Sequence, residues 1–192
     1  MTVNLWKRGA IAAAAGAALA APLGAQSPRD ACTALLPTSL VAAVEKEFPA
    51  YRLPVESDNL PEDVSYDREH GGSGCLGVAM GDFHGKDRKD YALLLTSRSA
   101  DQTVLIVATR SSSSWHFDRL RDWGDGRSRL YVATIEKGSY EQSGALHGTA
   151  DEPGELLRYA SKHPGVVSGA TESSGVAYFF TGHRWVHVWI SD

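Results

Sequence analysis

Apolar residues recur every four positions at Leu36, Leu40, Val44 and Phe48, with Val41 beside them, while Glu45 and Lys46 fall off that stripe. The spacing predicts a helix over Thr38–Phe48, and Pro37 and Pro49 stand just outside its ends. From Leu76 on the period changes. Leu76–Met80, Tyr91–Ser97, Thr103–Thr109, Trp115–Leu120, Tyr131–Glu136, Val166–Ala170, Val176–Thr181 and Arg184–Ile190 are short runs rich in aliphatic, aromatic and β-branched residues. Turn residues separate them, which predicts strands. Glu155–Ala160 reads as a strand or a short helix. The polar turn at Ser111–Ser114 is short enough to join antiparallel neighbours. Residues 26–37 read as an irregular lead-in, and 52–74 as loop with a short helix near Asp63–His70. The expected architecture is α+β, a single curved antiparallel sheet of about seven or eight strands with one main N-terminal helix packed on it.

The first 25 residues stand outside that pattern. Lys7 and Arg8 precede an Ala-rich apolar run, Gly9–Ala21, followed by small residues up to Ala25. The run is shorter than the roughly 20 residues needed to span a bilayer. Residues 1–25 are therefore expected to be a signal peptide, and 26–192 a single domain; an N-terminal anchor helix is the alternative. Cleavage would remove Lys7 and Arg8 and no acid, taking the formal charge from −4 to −6. This balance argues against nucleic-acid binding, and the later apolar runs are too short for a membrane. A soluble periplasmic or secreted protein is expected. In that compartment Cys32 and Cys75 are expected to form a disulfide, a metal-binding or reactive thiol pair being the alternative.

One loop carries a resemblance. Gly81-Asp82-Phe83-His84-Gly85-Lys86-Asp87-Arg88-Lys89-Asp90 lies between two predicted strands. It resembles the FG-GAP/VCBS-type loop of integrin-α-like propellers, in which carboxylates at four positions converge on Ca²⁺. Here Asp82 and Asp90 keep the first and last of these positions, while His84 and Lys86 replace the other two. Imidazole suits Ca²⁺ poorly and an ammonium repels it. The loop therefore reads as a relic without metal, with the Lys86 ammonium in the ion's place and paired with Asp82 and Asp90. A propeller needs many such loops and the chain has one, so the resemblance implies one hairpin. More broadly the order of segments, including Cys75-Leu76-Gly77-Val78, Asp122-Trp123-Gly124 and the aromatic C-terminus, resembles a family of small exported proteobacterial proteins. That resemblance implies one compact domain and assigns no activity.

Motifs for catalysis do not emerge. Gly-x-Ser-x-Gly, Cys-x-x-Cys, His-Glu-x-x-His, the P-loop and the dinucleotide fingerprint are all missing from the sequence. No catalytic residue, metal ligand or cofactor is assigned. His183, Trp185, His187 and Trp189 alternate along one predicted strand, either as a ligand platform or as a half-buried sheet face. His183 and His187, about 13 Å apart, are too distant to chelate one metal. Ser174-Gly175-x-x-Tyr178 fits the Ser-Gly-x-x-Tyr pattern of periplasmic lysozyme inhibitors, or is simply a turn entering a strand. Six acids between Glu56 and Glu69 form a solvated surface or a contact face for a basic partner. The expected function is that of an exported, soluble, non-enzymatic binding protein, with Ser174, Gly175, Tyr178, Trp185 and Trp189 as candidate binding residues. A basic envelope or secreted protein is the partner that the charge suits. Two alternatives stand beside it: an inhibitor or immunity protein against a cell-wall hydrolase such as lysozyme, and a small envelope-polymer hydrolase.

Overall fold

The computed structural model describes residues 29–124, 127–144, 150–173 and 175–190. Three α-helices are described: α1 (Ala31–Ala34), α2 (Thr38–Glu47) and α3 (Pro61–Glu69). The first sheet contains β1 (Tyr51–Arg52), β2 (Val78–Gly81), β3 (Asp90–Ser97), β4 (Thr103–Ser111) and β5 (Ser114–Trp123). Its long strands run β3-β4-β5, and β1 and β2 share the far edge of β3. After β6 (Leu130–Ile135) the chain makes a small hairpin, β7 (Ser139–Glu141) with β8 (Arg158–Ala160). It returns through β9 (Gly165–Ala170), β10 (Gly175–Phe180) and β11 (Trp185–Ile190). These last three and β6 make a second sheet in the order β11-β10-β9-β6, all antiparallel.

The class is thus α+β with mostly antiparallel strands, but the expected single curved sheet is corrected to two packed sheets and a small third one. The reason lies in β3 and β4, which are buried along nearly their whole length. Tyr91, Leu93, Leu95, Val104, Ile106 and Ala108 point to one side, where Leu36, Leu40 and Val44 cover them. Ala92, Leu94, Leu105 and Val107 point to the other, against Leu130, Val132, Val166, Val176 and Tyr178 of the second sheet. A helix covers only the first of these faces. Each fully buried aliphatic side chain stabilises the packing by about 1.5–3 kcal/mol. The outer face of the second sheet, Ala177, Phe179 and Val186, is covered in turn by Tyr140, Tyr159 and Leu156. The result is helix, sheet, sheet and hairpin in succession.

The sheets are joined where β2 runs beside β6, with Val132 N–H donating to the Leu76 carbonyl at 2.8 Å. In β5 the register slips: Leu105 pairs with Arg121 while Ile106 pairs with Arg119, leaving Leu120 as an extra residue. This β-bulge changes the phase of the strand. Asp118, opposite Val107, and Arg121, opposite Leu105, thereby share the face turned toward the second sheet.

Cys32 and Cys75 form the expected disulfide. Among the described residues no helix is long and apolar enough to cross a membrane. The expected signal peptide, residues 1–25, lies outside the described residues.

Candidate functional site

The inner face of β10 and β11 carries Tyr178, Trp185, His187 and Trp189, because Tyr178 pairs with His187, Val176 with Trp189 and Phe180 with Trp185. The strand alternation therefore places Trp185, His187 and Trp189 together. His183 instead sits exposed in the turn before β11. The opposing wall is β5. Between them lies a cleft of about 490 Å³, bounded by Arg119–Asp122 of β5, by Tyr178, Trp185 and His187 of the second sheet, and by Glu152 and Pro153 at the rim.

The rim is held by Glu155, whose carboxylate accepts from the backbone N–H groups of Asp151 at 2.7 Å and Glu152 at 2.9 Å. The same segment lies along the edge of β11: His187 N–H donates to the Gly154 carbonyl and Leu156 N–H to the His187 carbonyl. This places Glu152 opposite Arg121. The Arg121 guanidinium grips Glu152 with two parallel bonds of 2.8 and 2.9 Å, and its central carbon lies 5.1 Å from the centre of the Trp123 ring and 4.7 Å from that of Trp189. Such a cation beside two aromatic faces is held by their quadrupoles as well as by the carboxylate. Arg121 in turn keeps the Glu152 carboxyl below the usual range.

Three buried polar atoms on this lining have no hydrogen-bond partner among the described residues: the Tyr178 hydroxyl, Trp185 Nε1 and His187 Nε2. Each has a charged neighbour close by, outside the usual hydrogen-bond geometry. Glu152 Oε2 stands 3.4 Å from His187 Nε2 but outside hydrogen-bonding geometry. Arg121 and Asp118 act on the Tyr178 hydroxyl and the Trp185 indole through side-chain hydrogen bonding outside the usual geometry. Burial pushes the Tyr178 phenol up and His187 down, so both are neutral near pH 7.

Adjoining the cleft is the FG-GAP-like loop, and here the expected cation is corrected. Lys86 is exposed and makes no ion pair with Asp82 or Asp90. The two Asp82 oxygens instead accept the backbone N–H groups of Lys86 at 2.8 Å and Asp87 at 2.9 Å. A flexible ammonium in water gains little from a carboxylate already satisfied by backbone. The cation at Asp90 is His84. Its Nδ1 lies 2.8 Å from Asp90 Oδ2, and its Nε2 lies 3.7 Å from Asp118 Oδ2. Burial opposes the charged ring, but the two carboxylates outweigh it and raise its pKa to about 9. The ring also packs on Phe180, 4.4 Å between centroids, and edge-on to Trp185 at 5.4 Å. His84 thus ties the loop of the first sheet to the aromatic row of the second.

Of the residues picked from sequence, Tyr178, Trp185 and Trp189 meet on one face, and Trp185 also meets His84. Gly175 is buried at the start of β10, and Ser174 lies outside the described residues. Sequence reading missed Arg121, Glu152 and Asp118. Arg121 lies just past the end of the strand predicted over Trp115–Leu120, and only the bulge turns it inward. Compared with protein-family models, curated proteins and solved structures, the chain matches none.

Proposed function

We propose that this is an exported, periplasmic or secreted binding protein without enzymatic activity, and that the cleft between β5 and β11 is its ligand site. The observation that carries the reading is the cleft itself, about 490 Å³ between β5 and β11, whose charged side chains are already paired with one another, Arg121 with Glu152 and Arg119 with Asp122. The volume falls in the range of roughly 300–1,000 Å³ typical of small-molecule sites. The disulfide suits an oxidising compartment.

Binding is favoured over catalysis by the state of the lining groups. Glu152 is engaged on both oxygens by Arg121, and Tyr178 is driven away from ionisation. The described lining contains no serine, threonine or cysteine nucleophile. The inhibitor alternative needs Tyr178 offered from an exposed loop to a protein partner, yet Tyr178 lies within β10 and is buried.

The test is a ¹⁵N-labelled sample titrated with charge-fractionated, low-molecular-weight envelope material. The expected result is saturable movement of the Trp185 and Trp189 indole resonances, with Trp115 unmoved. Movement confined to residues elsewhere, or release of fragments from peptidoglycan, would overturn the reading.

A further inference from the structure

We infer that the groove between α3 and the junction of β2 with β6 is a second binding surface, separate from the β5–β11 cleft, and that it docks a basic, partly apolar segment of a partner protein. The groove measures about 670 Å³, more than the cleft. It lies where the two sheets meet, joined by the bond from Val132 N–H to the Leu76 carbonyl and by the Thr134 hydroxyl on the Met80 carbonyl. Leu76, Val78 and Ala79 on one side and Val132 and Ala133 on the other give it an apolar floor.

The wall is α3. Asp63, Tyr66, Asp67 and His70 stand three and four residues apart, so they share the helix face that lines the groove. The Tyr66 ring, 65% exposed, stacks on His70 with 4.0 Å between centroids and leaves its other face open. This wall is fixed in place: Asp67 accepts the Gly74 N–H at 2.8 Å, and the Thr171 hydroxyl lies 3.1 Å from Asp63 Oδ2. A groove held in this way loses little entropy when it is filled.

Its charge selects the occupant. Arg68, the one basic residue of α3, is engaged with Glu56. Glu62, Asp63, Asp67 and Glu69 are left without an ion pair among the described residues. Glu172, on the opposite rim, has Arg129 at 3.6 Å, but both side chains are mostly in water, and such a pair neutralises little. Asp67 and Glu69 also stand in the last turn, at the negative end of the helix dipole, where a carboxylate weakens the helix. A basic partner offsets that cost. An anionic partner is repelled, and so is a second copy of a chain whose formal charge is −4. A bare metal ion does not fit, because no group of three His, Cys, Asp or Glu among the described residues could hold one. A lysine or arginine side chain fits both parts of the groove. Its methylene stem covers the apolar floor, while its charge reaches the carboxylates or the open face of Tyr66.

The test titrates the ¹⁵N-labelled protein separately with acetyl-Lys-Leu-Lys-Leu-Lys-amide, acetyl-Glu-Leu-Glu-Leu-Glu-amide and spermidine, following the backbone amides of residues 63–74 and the Trp185 indole. The basic peptide is expected to move the groove amides saturably and to leave Trp185 in place. Its Kd should rise about tenfold in the double variant Asp63→Asn, Asp67→Asn. Both amides keep an oxygen to accept from Thr171 and Gly74, so the fold is retained. Tyr66→Ala should raise the Kd about threefold. The double variant Glu45→Gln, Glu47→Gln removes two charges from exposed positions on α2 and should leave the Kd unchanged. An equal rise there would show that the peptide follows net charge alone, and would overturn the docking site. Equal binding of the acidic peptide would overturn it too, as would still amides at about 5 mM basic peptide, above the millimolar Kd of a weak contact. Spermidine carries charge without apolar side chains, so a match with the basic peptide would overturn the protein segment as occupant. Movement of Trp185 without residues 63–74 would place the peptide in the cleft and overturn the groove.

Discussion

The His84 ring stands 2.8 Å from the carboxylate of Asp90, and Asp90 is completely buried. The same carboxylate accepts the His84 backbone N–H at 3.2 Å, and Thr109 Oγ1 lies 3.2 Å from the ring nitrogen. The other nearby cation is Arg88, whose Nε is 3.7 Å from Asp90 Oδ1 without a hydrogen bond. Removing the imidazole therefore strands a buried carboxylate. His84→Ala is expected to lower stability by about 3–5 kcal/mol, read from urea unfolding. The double variant His84→Ala with Asp90→Asn should recover part of that loss, since the charge and its partner then leave together. Equal losses in the single and double variants would show that the ring matters for packing rather than charge.

The same pair sets an alkaline limit to stability. A histidine whose pKa rises from 6.5 to about 9 on folding contributes fully below pH 6.5, and the contribution disappears as pH climbs through about 9. Its size is at most about 3 kcal/mol. His187 works in the opposite sense: burial lowers its pKa, so stability falls as pH drops below the ordinary histidine value near 6.5. Unfolding free energies of the native protein and His84→Gln should converge between pH 7 and pH 10. A gap that persists at pH 10 would rule out the charged form of His84 as the source of that stability.

Particular residues show how much was legible in the sequence. The stripe Leu40-Val44 and the alternating runs gave most helices and strands within a residue or two, because local period reports the buried face directly. The second sheet was hidden, although β3 and β4 are apolar on both faces and one helix covers only one. Period tells that a face is buried, and is silent on what buries it. Tyr178, Trp185 and Trp189 were visible by alternation. Arg121 and Glu152 were not, since one depends on a single extra residue in β5 and the other on a rim loop tied by Glu155. At the loop, charge counting chose Lys86 over His84; backbone N–H groups satisfying Asp82 reversed the choice.

Tyr178→Phe separates the cost of an unsatisfied atom from its use. In the free protein the buried hydroxyl has no hydrogen-bond partner among the described residues, so its removal should leave stability unchanged or raise it by up to about 1 kcal/mol. Ser168→Ala is the contrast: Ser168 is fully buried and its hydroxyl donates to the Tyr131 carbonyl at 2.9 Å. It should cost about 1 kcal/mol. Thermal midpoints moving in opposite directions are the expected result; a clear drop for Tyr178→Phe would mean the hydroxyl is already satisfied.

The disulfide should act through the unfolded chain. Cys32 and Cys75 are 43 residues apart, and both are buried beside Leu36 and Leu40. Closing a loop of that length stabilises by roughly 4 kcal/mol in the chain-entropy account. The double variant Cys32→Ala, Cys75→Ala should lose most of that in urea unfolding. Because both sulfurs are shielded, reductant alone should open the bond slowly in native buffer and quickly in denaturant. Rapid reduction without denaturant would contradict the burial.

Arg121 is where the two sheets and the rim are held together, and its geometry makes lysine a poor substitute. Lysine keeps the charge but has no planar fork for Glu152 and no flat face to lie against Trp123 and Trp189. Arg121→Lys is expected to lose about 1–3 kcal/mol, the scale of a charge-assisted hydrogen bond plus an aromatic contact. The loss should be shared with Glu152: once Glu152→Gln is present, Arg121→Lys should cost clearly less, because the bidentate bond is already broken. A double-mutant cycle measures that sharing. Full additivity would mean that the guanidinium is held by the tryptophans alone, and that Glu152 does not fix the rim across the cleft.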